Sequence, residues 1–462
     1  MTTSDERFRM RSRLAHAARE VFAWHARPGA FERLAPPWSG VTVESRSGTV
    51  RDEGSTVTLR MPLGPLSTRW VARHHDFREG ESFRDEQVEG PFARWSHLHR
   101  VEPDGDGCFL EDTIDYRLPL APVSSVLAGP LVRATLATTF AWRHRRTRED
   151  LDAHARSGLA PSRIAITGAT GLVGGQLAAF LGTGGHEVLP VVRRTTGRAG
   201  EIAWDPGRGA IDAKALEGVD AVVHLAGENI AAGRWTEDSK RRILASREEG
   251  TRLLAEALAR LARKPRVLVS ASAIGFYGDR GDLVLDESSE AGEGFLPEVC
   301  RRWEAATAAA RDAGIRVVHL RIGVVLSPLG GALAQMLLPF RLGAGGALGP
   351  GSQWMSWISL DDLLGAVLHA IATPSLEGPV NATSPQPATS RDFAKTLGSV
   401  LHRPSLLAVP AFALRAVAGE MADALLLAST KVMPGRLAGS GFVFRDPALR
   451  PALAGMLGRD EG

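Results

Sequence analysis

Residues Ile164-Ala-Ile-Thr-Gly-Ala-Thr-Gly-Leu-Val-Gly174 run from an apolar stretch into glycines at Gly168, Gly171 and Gly174, and then into helix-forming sequence. The order is strand, turn, helix, and the turn suits a phosphate. A dinucleotide pyrophosphate sits against backbone N–H groups at a helix N-terminus, where unpaired donors and the helix dipole both favour an anion. Gly168 turns the chain out of the strand, Gly171 lets the phosphates approach, and Gly174 lets the helix pack on the sheet. Ala169, Thr170, Leu172 and Val173 complete the same cofactor-binding turn. The spacing Gly-x-x-Gly-x-x-Gly is one residue longer than the ordinary dinucleotide fingerprint. A following strand at Glu187–Val192 stands where a dinucleotide unit requires it.

Working outward, strands are expected at Arg163–Thr167, Glu187–Val192, Ala221–Leu225, Arg266–Ser270 and Arg316–Leu320, with helical segments between them. That alternation predicts an α/β, doubly wound parallel sheet. Beyond about residue 340 the chain is richer in glycine and proline, then helical again over Ala411–Thr430. Before it, short β-type runs alternate with charged turns at Val41–Glu44, Ser55–Met61, Thr68–His74, Ser82–Val88, Ala93–Val101 and Cys108–Arg117. With helices expected at Ala17–Phe31 and at Ser124–Ala155, the second interrupted or bent near Gly129-Pro130, this reads as an antiparallel α+β domain. Ser157-Gly-Leu-Ala-Pro161 reads as a linker.

At 462 residues the chain exceeds the size of a single growing core. The formal net charge is +3 and only five lysines occur, so no basic block marks a nucleic-acid footprint. Cys108 and Cys300 lie far apart, which argues against a disulfide framework and fits a reducing compartment. No apolar stretch is long enough to span a membrane, and the charged N-terminus has no signal-type run after it. A cytoplasmic protein is expected. His74-His75 and His97-x-His99 lie on predicted strands without Cys or carboxylate partners at ligand spacing, so no metal site is expected.

The Thr-Gly-x-x-Gly-x-x-Gly turn, Ala221-Val-Val-His-Leu-Ala-Gly227, Gly250-Thr251 and Ser270-Ala-Ser-Ala-Ile-Gly-Phe-Tyr-Gly278 together resemble the extended short-chain dehydrogenase/reductases. Within them, His224-Leu-Ala-Gly-Glu-Asn-Ile-Ala231, Val299-Cys-Arg-Arg-Trp-Glu304, Gly345-Gly-Ala-Leu-Gly-Pro-Gly-Ser-Gln-Trp354 and Trp357-Ile-Ser-Leu-Asp-Asp362 resemble the atypical epimerase-like oxidoreductases. Residues 410–455 are similar to the small C-terminal domain accompanying that family. Phe83–Trp95, His97-Leu-His99 and Asp112–Pro119 resemble the helix-grip, START-like and polyketide-cyclase-like superfamily. The resemblance implies a helix-grip ligand-binding domain over 1–158, a Rossmann-like NAD(P)-binding domain over 163–400 and a small helical domain over 405–455. A helix-grip domain implies a cavity for a hydrophobic ligand, on the strand face that carries Trp95 and His97 or on the opposite one; a module that only aids stability or docking is the alternative.

Relatives preferring NAD end the second strand in a carboxylate; here Val191-Val-Arg-Arg194 stands there. Arginine's planar, permanently charged fork suits a 2′-phosphate, so Arg193 and Arg194 point to NADP. Leu225, Ala226 and Gly227 are expected at the same cofactor. The resemblance also implies a tyrosine with a lysine four residues on, yet Tyr116 is followed there by Leu120 and Tyr277 by Gly281. The matching positions fall at Leu296 and Cys300, and Arg247 stands where relatives place an asparagine. The site is either rewired or catalytically weakened. In a rewired site Ser272 binds the substrate oxygen and Tyr277 is either the proton donor or a packed loop residue. Asn229, Gln353 and Trp354 are expected to contact substrate, with Glu228 as a further polar group of the pocket. Trp357 is either a wall over the substrate or a plug, Asp361 and Asp362 are read as a helix cap, and Cys300 as a buried helix residue. Three functions follow: an NADP-dependent oxidoreductase acting on an unidentified small molecule, a nucleotide-sugar epimerase or dehydratase, or an NADP(H)-binding sensor or scaffold whose chemistry has lapsed.

Overall fold

The computed structural model describes residues 5–63, 66–121 and 123–459. The chain forms two compact units, one made of the residues up to Arg156 together with Gly182–Gly185 and one made of Ser157–Leu181 and His186–Arg459.

In the first unit, seven antiparallel strands lie in the order Glu6–Leu14, Gly107–Arg117, Arg94–Asp104, Ser82–Glu89, Leu66–Arg78, Thr56–Leu63, Thr42–Arg46. The strand Glu6–Leu14 was not expected. It alternates arginines at 7, 9, 11 and 13 with Phe8, Met10, Ser12 and Leu14, a period-2 pattern that puts one face in the core and one in water. Arg7 pairs with Asp115 at 2.6 Å, Arg11 with Glu102 at 2.9 Å and Arg13 with Asp104 at 2.7 Å, all on the outer face. The helix Val123–Ser157 lays Leu136 and Phe140 against Phe8, Ile114, Tyr116 and Leu118. No interruption occurs near Gly129-Pro130: Pro130 lies inside the helix. The carbonyl four residues back that loses its partner belongs to Val126, whose residue is exposed, so water can satisfy it. The first expected helix instead divides into Ala18–Ala26 and Ala30–Leu34, because Pro28-Gly29 intervenes and Gly29 takes φ 95°.

A polar cluster sits within this apolar shell. Asp112 Oδ1 lies 2.8 Å from His97 Nε2 and 2.7 Å from His99 Nδ1, while its Oδ2 lies 2.6 Å from His144 Nε2. Asp85 meets His74 Nδ1 at 2.5 Å and His99 Nε2 at 3.3 Å. The expectation that these histidines lack carboxylate partners is therefore wrong: cross-strand pairing supplies Asp85 and Asp112 from 11 or more residues away in sequence. Burial opposes charge on His99, but Asp112 and Asp85 outweigh it and raise its pKa to about 9. Burial, with His99 beside it, pushes His97 down to about 4.

In the second unit eight strands lie in the order Ala210–Ile211, Ile202–Asp205, Glu187–Val192, Arg163–Thr167, Ala221–His224, Val267–Ala273, Arg316–Ile322, Gly378–Ala382. All pairings are parallel except the hairpin Ile202–Asp205 with Ala210–Ile211. The chain builds one way from Arg163–Thr167 and then returns to add Ala221–His224 on its other side. The carboxyl ends of those two strands form the topological switch point, where open α/β sheets bind ligands. Helix Leu172–Thr183 follows the first strand and Glu237–Ala259 the second, the latter started by a reciprocal Thr236–Ser239 capping box. The C-terminal segment is woven into the same unit. Its strand Lys431–Val432 pairs with Val284–Leu285, and Leu453 of helix Leu449–Met456 shares a core with Phe393 and Leu397 of helix Ser390–Val400. The cap of helix Leu360–Ala372 is Ser359, which accepts from Asp362 N at 3.0 Å. Asp362 is not the cap: its buried carboxylate accepts from Arg445 N at 2.7 Å and Asp446 N at 3.0 Å, fastening the C-terminal segment.

Candidate functional site

The glycine turn is a cradle that side chains would fill. Gly168 adopts φ 71°, and a Cβ there would stand 3.0 Å from the Leu225 carbonyl carbon and 3.1 Å from Ala226 N. A Cβ on Gly174 would lie 2.2 Å from Gly168 O, and one on Gly171 would lie 3.3 Å from the same oxygen. The turn closes through Gly171 N donating to Gly168 O at 3.0 Å, and Gly175 N donates to Gly171 O at 2.9 Å as the helix begins. Beneath it Thr167 Oγ1 accepts from Leu225 N at 3.1 Å and from Ala226 N at 3.2 Å, and lies 2.7 Å from His224 Nδ1. His224 Nε2 lies 2.9 Å from Thr251 Oγ1. This buried Thr-His-Thr chain joins the ends of the two switch-point strands to helix Glu237–Ala259, which fixes Leu225–Gly227 opposite the glycine turn. Burial pushes the His224 pKa down to about 4. Arg193 and Arg194, just past the second strand, are both exposed.

At the other end of the cleft, Ser272 Oγ donates to Glu304 Oε1 at 2.7 Å. Arg321 grips the same carboxylate through Nε at 2.8 Å and Nη2 at 2.9 Å, and its Nη1 donates to Tyr277 OH at 3.0 Å. Tyr277 OH in turn donates to Asn381 Oδ1 at 2.7 Å. The sequence reading missed Glu304, Arg321 and Asn381 as partners of this site. A signal existed for one of them: Arg321 is a charge near the carboxyl end of a central parallel strand, where only a paired group is tolerated.

Of the two readings of Tyr277, proton donor or packed loop residue, the geometry favours the packed one. The residue is fully buried, its hydroxyl is engaged on both sides, and burial pushes its phenol pKa up. Gln353 is also corrected: its amide nitrogen donates to Leu348 O at 2.9 Å and Leu426 O at 3.0 Å, so it ties two backbone segments together. Trp354 is half-buried with its indole N–H given to Asp282 at 2.8 Å and Lys431 over its ring. Trp357 is a plug, fully buried and donating to Gln386 O at 2.9 Å. Asn229 lines a small cavity of about 90 Å³ together with Glu228, Trp235, Ser239 and Arg242. Cys300 is buried, and burial raises its thiol to about 11.

Arg247 is the unexpected group. Its guanidinium lies over the Trp303 ring at 5.0 Å, and a Cβ on Gly227 would stand 3.3 Å from its Cζ. One nitrogen donates to Ile243 O at 3.2 Å, and no carboxylate lies within ion-pair distance among the described residues. Burial pushes its pKa down, with the Cys300 and Glu228 side chains opposing that shift. The residue standing at the usual asparagine position is thus a half-buried cation beside the place of the absent lysine.

A doubly wound sheet, a glycine-cradled switch point and a serine at the end of the strand Val267–Ala273 define a Rossmann unit of the short-chain dehydrogenase/reductase type. Comparison with known proteins agrees. Residues 164–382 match the NAD dependent epimerase/dehydratase family, 409–456 a domain of unknown function (DUF1731), and 14–141 the family described as polyketide cyclase/dehydrase and lipid transport. An epimerase family protein of Mycobacterium tuberculosis is 44% identical over 295 residues, 64% of this chain and 97% of that one. Human epimerase family protein SDR39U1 is 37% identical over 63% of this chain and 98% of its own length. The chain belongs to the NAD dependent epimerase/dehydratase family. A crystal structure described as a nucleoside-diphosphate sugar epimerase from Corynebacterium glutamicum matches with TM-score 0.80 and 34% identity over 98% of this chain and 90% of that one. The human SDR39U1 structure, solved with NADPH, matches with TM-score 0.60 and 36% identity over 64% of this chain and 99% of that one. No helix among the described residues is long and apolar enough to cross a membrane.

Proposed function

We propose that the second unit binds NADP(H) and carries out hydride transfer with a small carbonyl or unsaturated substrate, using a site without the usual Tyr-Lys pair. The observation that carries the reading is the cradle: three glycines whose Cβ positions are closed by backbone, facing Leu225–Gly227 across the switch point. Bound NADP(H) supplies or accepts the hydride. Gly168–Gly174 offers backbone donors to the pyrophosphate, and Arg193 with Arg194 offers the 2′-phosphate two exposed guanidinium groups. The relative solved with NADPH supports that choice over NAD.

At the reacting end, Ser272 presents a hydroxyl whose direction Glu304 sets, and Glu304 is held by two hydrogen bonds from Arg321. Arg247 supplies the positive charge that the absent lysine would bring; as a permanent cation it stabilises a developing oxyanion or a substrate carboxylate and leaves the proton to solvent. Asn229 and Glu228 line the adjoining cavity and suit a polar substrate.

Isothermal titration of NADPH and NADH tests the cofactor assignment. Arg193→Ala/Arg194→Ala should weaken NADPH by roughly ten- to a hundredfold and NADH hardly at all, the loss of about 1.4–2.7 kcal/mol being that of a charge-assisted contact to phosphate. Equal losses would remove the NADP assignment, and no NADPH binding to the unaltered chain would remove the whole reading. A second reading, an NADP(H)-binding sensor without turnover, is favoured by Leu296 and Cys300 at the dyad positions and by the fully enclosed Tyr277. Tight NADPH binding with no consumption across a panel of carbonyl substrates would select it. The nucleotide-sugar epimerase reading is supported by the name of the Corynebacterium relative and opposed by the missing dyad.

A further inference from the structure

We infer that the first unit holds a divalent transition-metal ion of the zinc class, bound by His97 Nδ1, His99 Nε2 and an Asp85 carboxylate oxygen. Asp85 Oδ2 lies 3.8 Å from His97 Nδ1 and 3.3 Å from His99 Nε2, and one donor atom from each of the three residues falls within a 4.8 Å span. Tetrahedral donors at zinc bond lengths of about 2.0–2.2 Å stand roughly 3.3–3.6 Å apart, so the spacing is that of a shared ion with only small ring rotations.

The surrounding groups are the stronger argument. Metal-bound histidines give their other ring N–H to a carboxylate, which sets the tautomer and the ring direction. Here both outward nitrogens, His97 Nε2 and His99 Nδ1, face the single oxygen Asp112 Oδ1, at 2.8 and 2.7 Å. Asp112 is fastened in turn: His144 Nε2 lies 2.6 Å from its Oδ2, and His144 Nδ1 lies 2.8 Å from Ser12 Oγ. The remaining oxygen of Asp85 is engaged by His74. Phe83 stacks on His99 with ring centroids 4.4 Å apart, and Phe140 stands edge-on to His97 at 5.1 Å. Five elements thus fix two imidazoles so that their inner nitrogens converge on one carboxylate.

A closed network of hydrogen bonds is the ordinary alternative, and it leaves one gap. His99 Nδ1, although 2.7 Å from Asp112, lacks hydrogen-bond geometry and counts as a buried polar atom without a partner. A small rotation that turns His99 Nε2 onto a metal also frees Nδ1 to align with Asp112. Three protein donors leave a fourth position for water or for an oxygen atom of a ligand, the arrangement of catalytic rather than structural zinc sites. A ligand taken at that position would bind through an oxygen atom.

The test uses the untagged full-length chain, stripped with a chelator and titrated with cobalt chloride and then zinc chloride, followed by visible absorption and calorimetry. One equivalent of cobalt should give the intense bands of a four-coordinate site, and zinc should erase them. His97→Gln and Asp85→Asn should each weaken binding a hundredfold or more, Asp112→Asn by about 10–100-fold as an outer-shell change, and the exposed His402→Asn in the second unit not at all. X-ray absorption at the zinc edge of the unaltered complex reads the ligands without any variant. Two imidazoles with oxygen support the site; an all-oxygen shell, the absence of saturable binding, or binding unchanged in a folded His97→Gln chain would overturn it.

Discussion

The two units carry their chemistry in different currencies. In the second, the decisive surface is backbone: eleven consecutive residues, Ile164–Gly174, form strand, turn and helix, and the glycines matter for what they lack. In the first, the decisive surface is side chains drawn from four strands and a helix, with His74, Asp85, His97, Asp112 and His144 spread over 71 positions and made neighbours only by cross-strand register. A backbone site tolerates no added atom, whereas a side-chain site fails when one partner is withdrawn.

The sharpest way to break the contrast is Gly174→Val. Its Cβ would meet Gly168 O at 2.2 Å, backbone against backbone, so the turn must open. NADPH binding should fall below detection by calorimetry; retained binding would show that the cradle is not where the cofactor sits. Next in size is Arg321→Met, which strands Glu304 in a half-buried setting. Removing one partner of such a pair costs about 3 kcal/mol or more, read as a lower midpoint in urea at unchanged slope. Glu304→Gln/Arg321→Met together should recover part of it, and if the double variant is no better than the single, the pair is not the stabilising unit.

A pH series sharpens the same comparison. His224 is buried neutral, with its folded pKa lowered from 6.5 to about 4. The unfolded chain takes up the proton first, so this histidine's stabilising contribution is complete above pH 6.5 and is lost as pH falls toward 4, by about 3 kcal/mol over the whole window. His224→Gln should flatten the unfolding free energy across that window relative to the unaltered chain; parallel curves would show that His224 is not held neutral. The smallest expected effect is Ser359→Ala, which removes the cap of helix Leu360–Ala372 and should lower stability by about 1 kcal/mol with no change in NADPH affinity.

Most of the second unit was legible in sequence because its information is local. Apolar β-branched runs, the glycine spacing and the arginines closing the second strand each act within a few residues of themselves. The polar cluster around Ser272 was not, since Ser272, Tyr277, Glu304, Arg321 and Asn381 converge from four separate segments. Tyr277 therefore looked available when it is fully enclosed. The strand Glu6–Leu14 was legible and passed over: its strict arginine alternation resembles a charged tail until the partner strand Gly107–Arg117 supplies Asp115 and Glu111 on one face. Pro130 does not interrupt its helix, because proline's cost depends on whether the carbonyl it strands can reach water.

By itself, then, the sequence determined the strand, glycine turn and helix of a dinucleotide-type unit, the two arginines Arg193 and Arg194 just past its second strand, and the absence of a Tyr-Lys pair. Only the tertiary structure decided which polar groups meet: that Ser272 is tied to Glu304 and through it to Arg321, that Arg247 lies beside Gly227 with no carboxylate partner among the described residues, and that His97 and His99 turn toward Asp85. The physical reason is range. Backbone conformation is set by neighbours a few residues away, whereas a hydrogen bond or a shared ion requires atoms within about 3 Å whatever their separation along the chain.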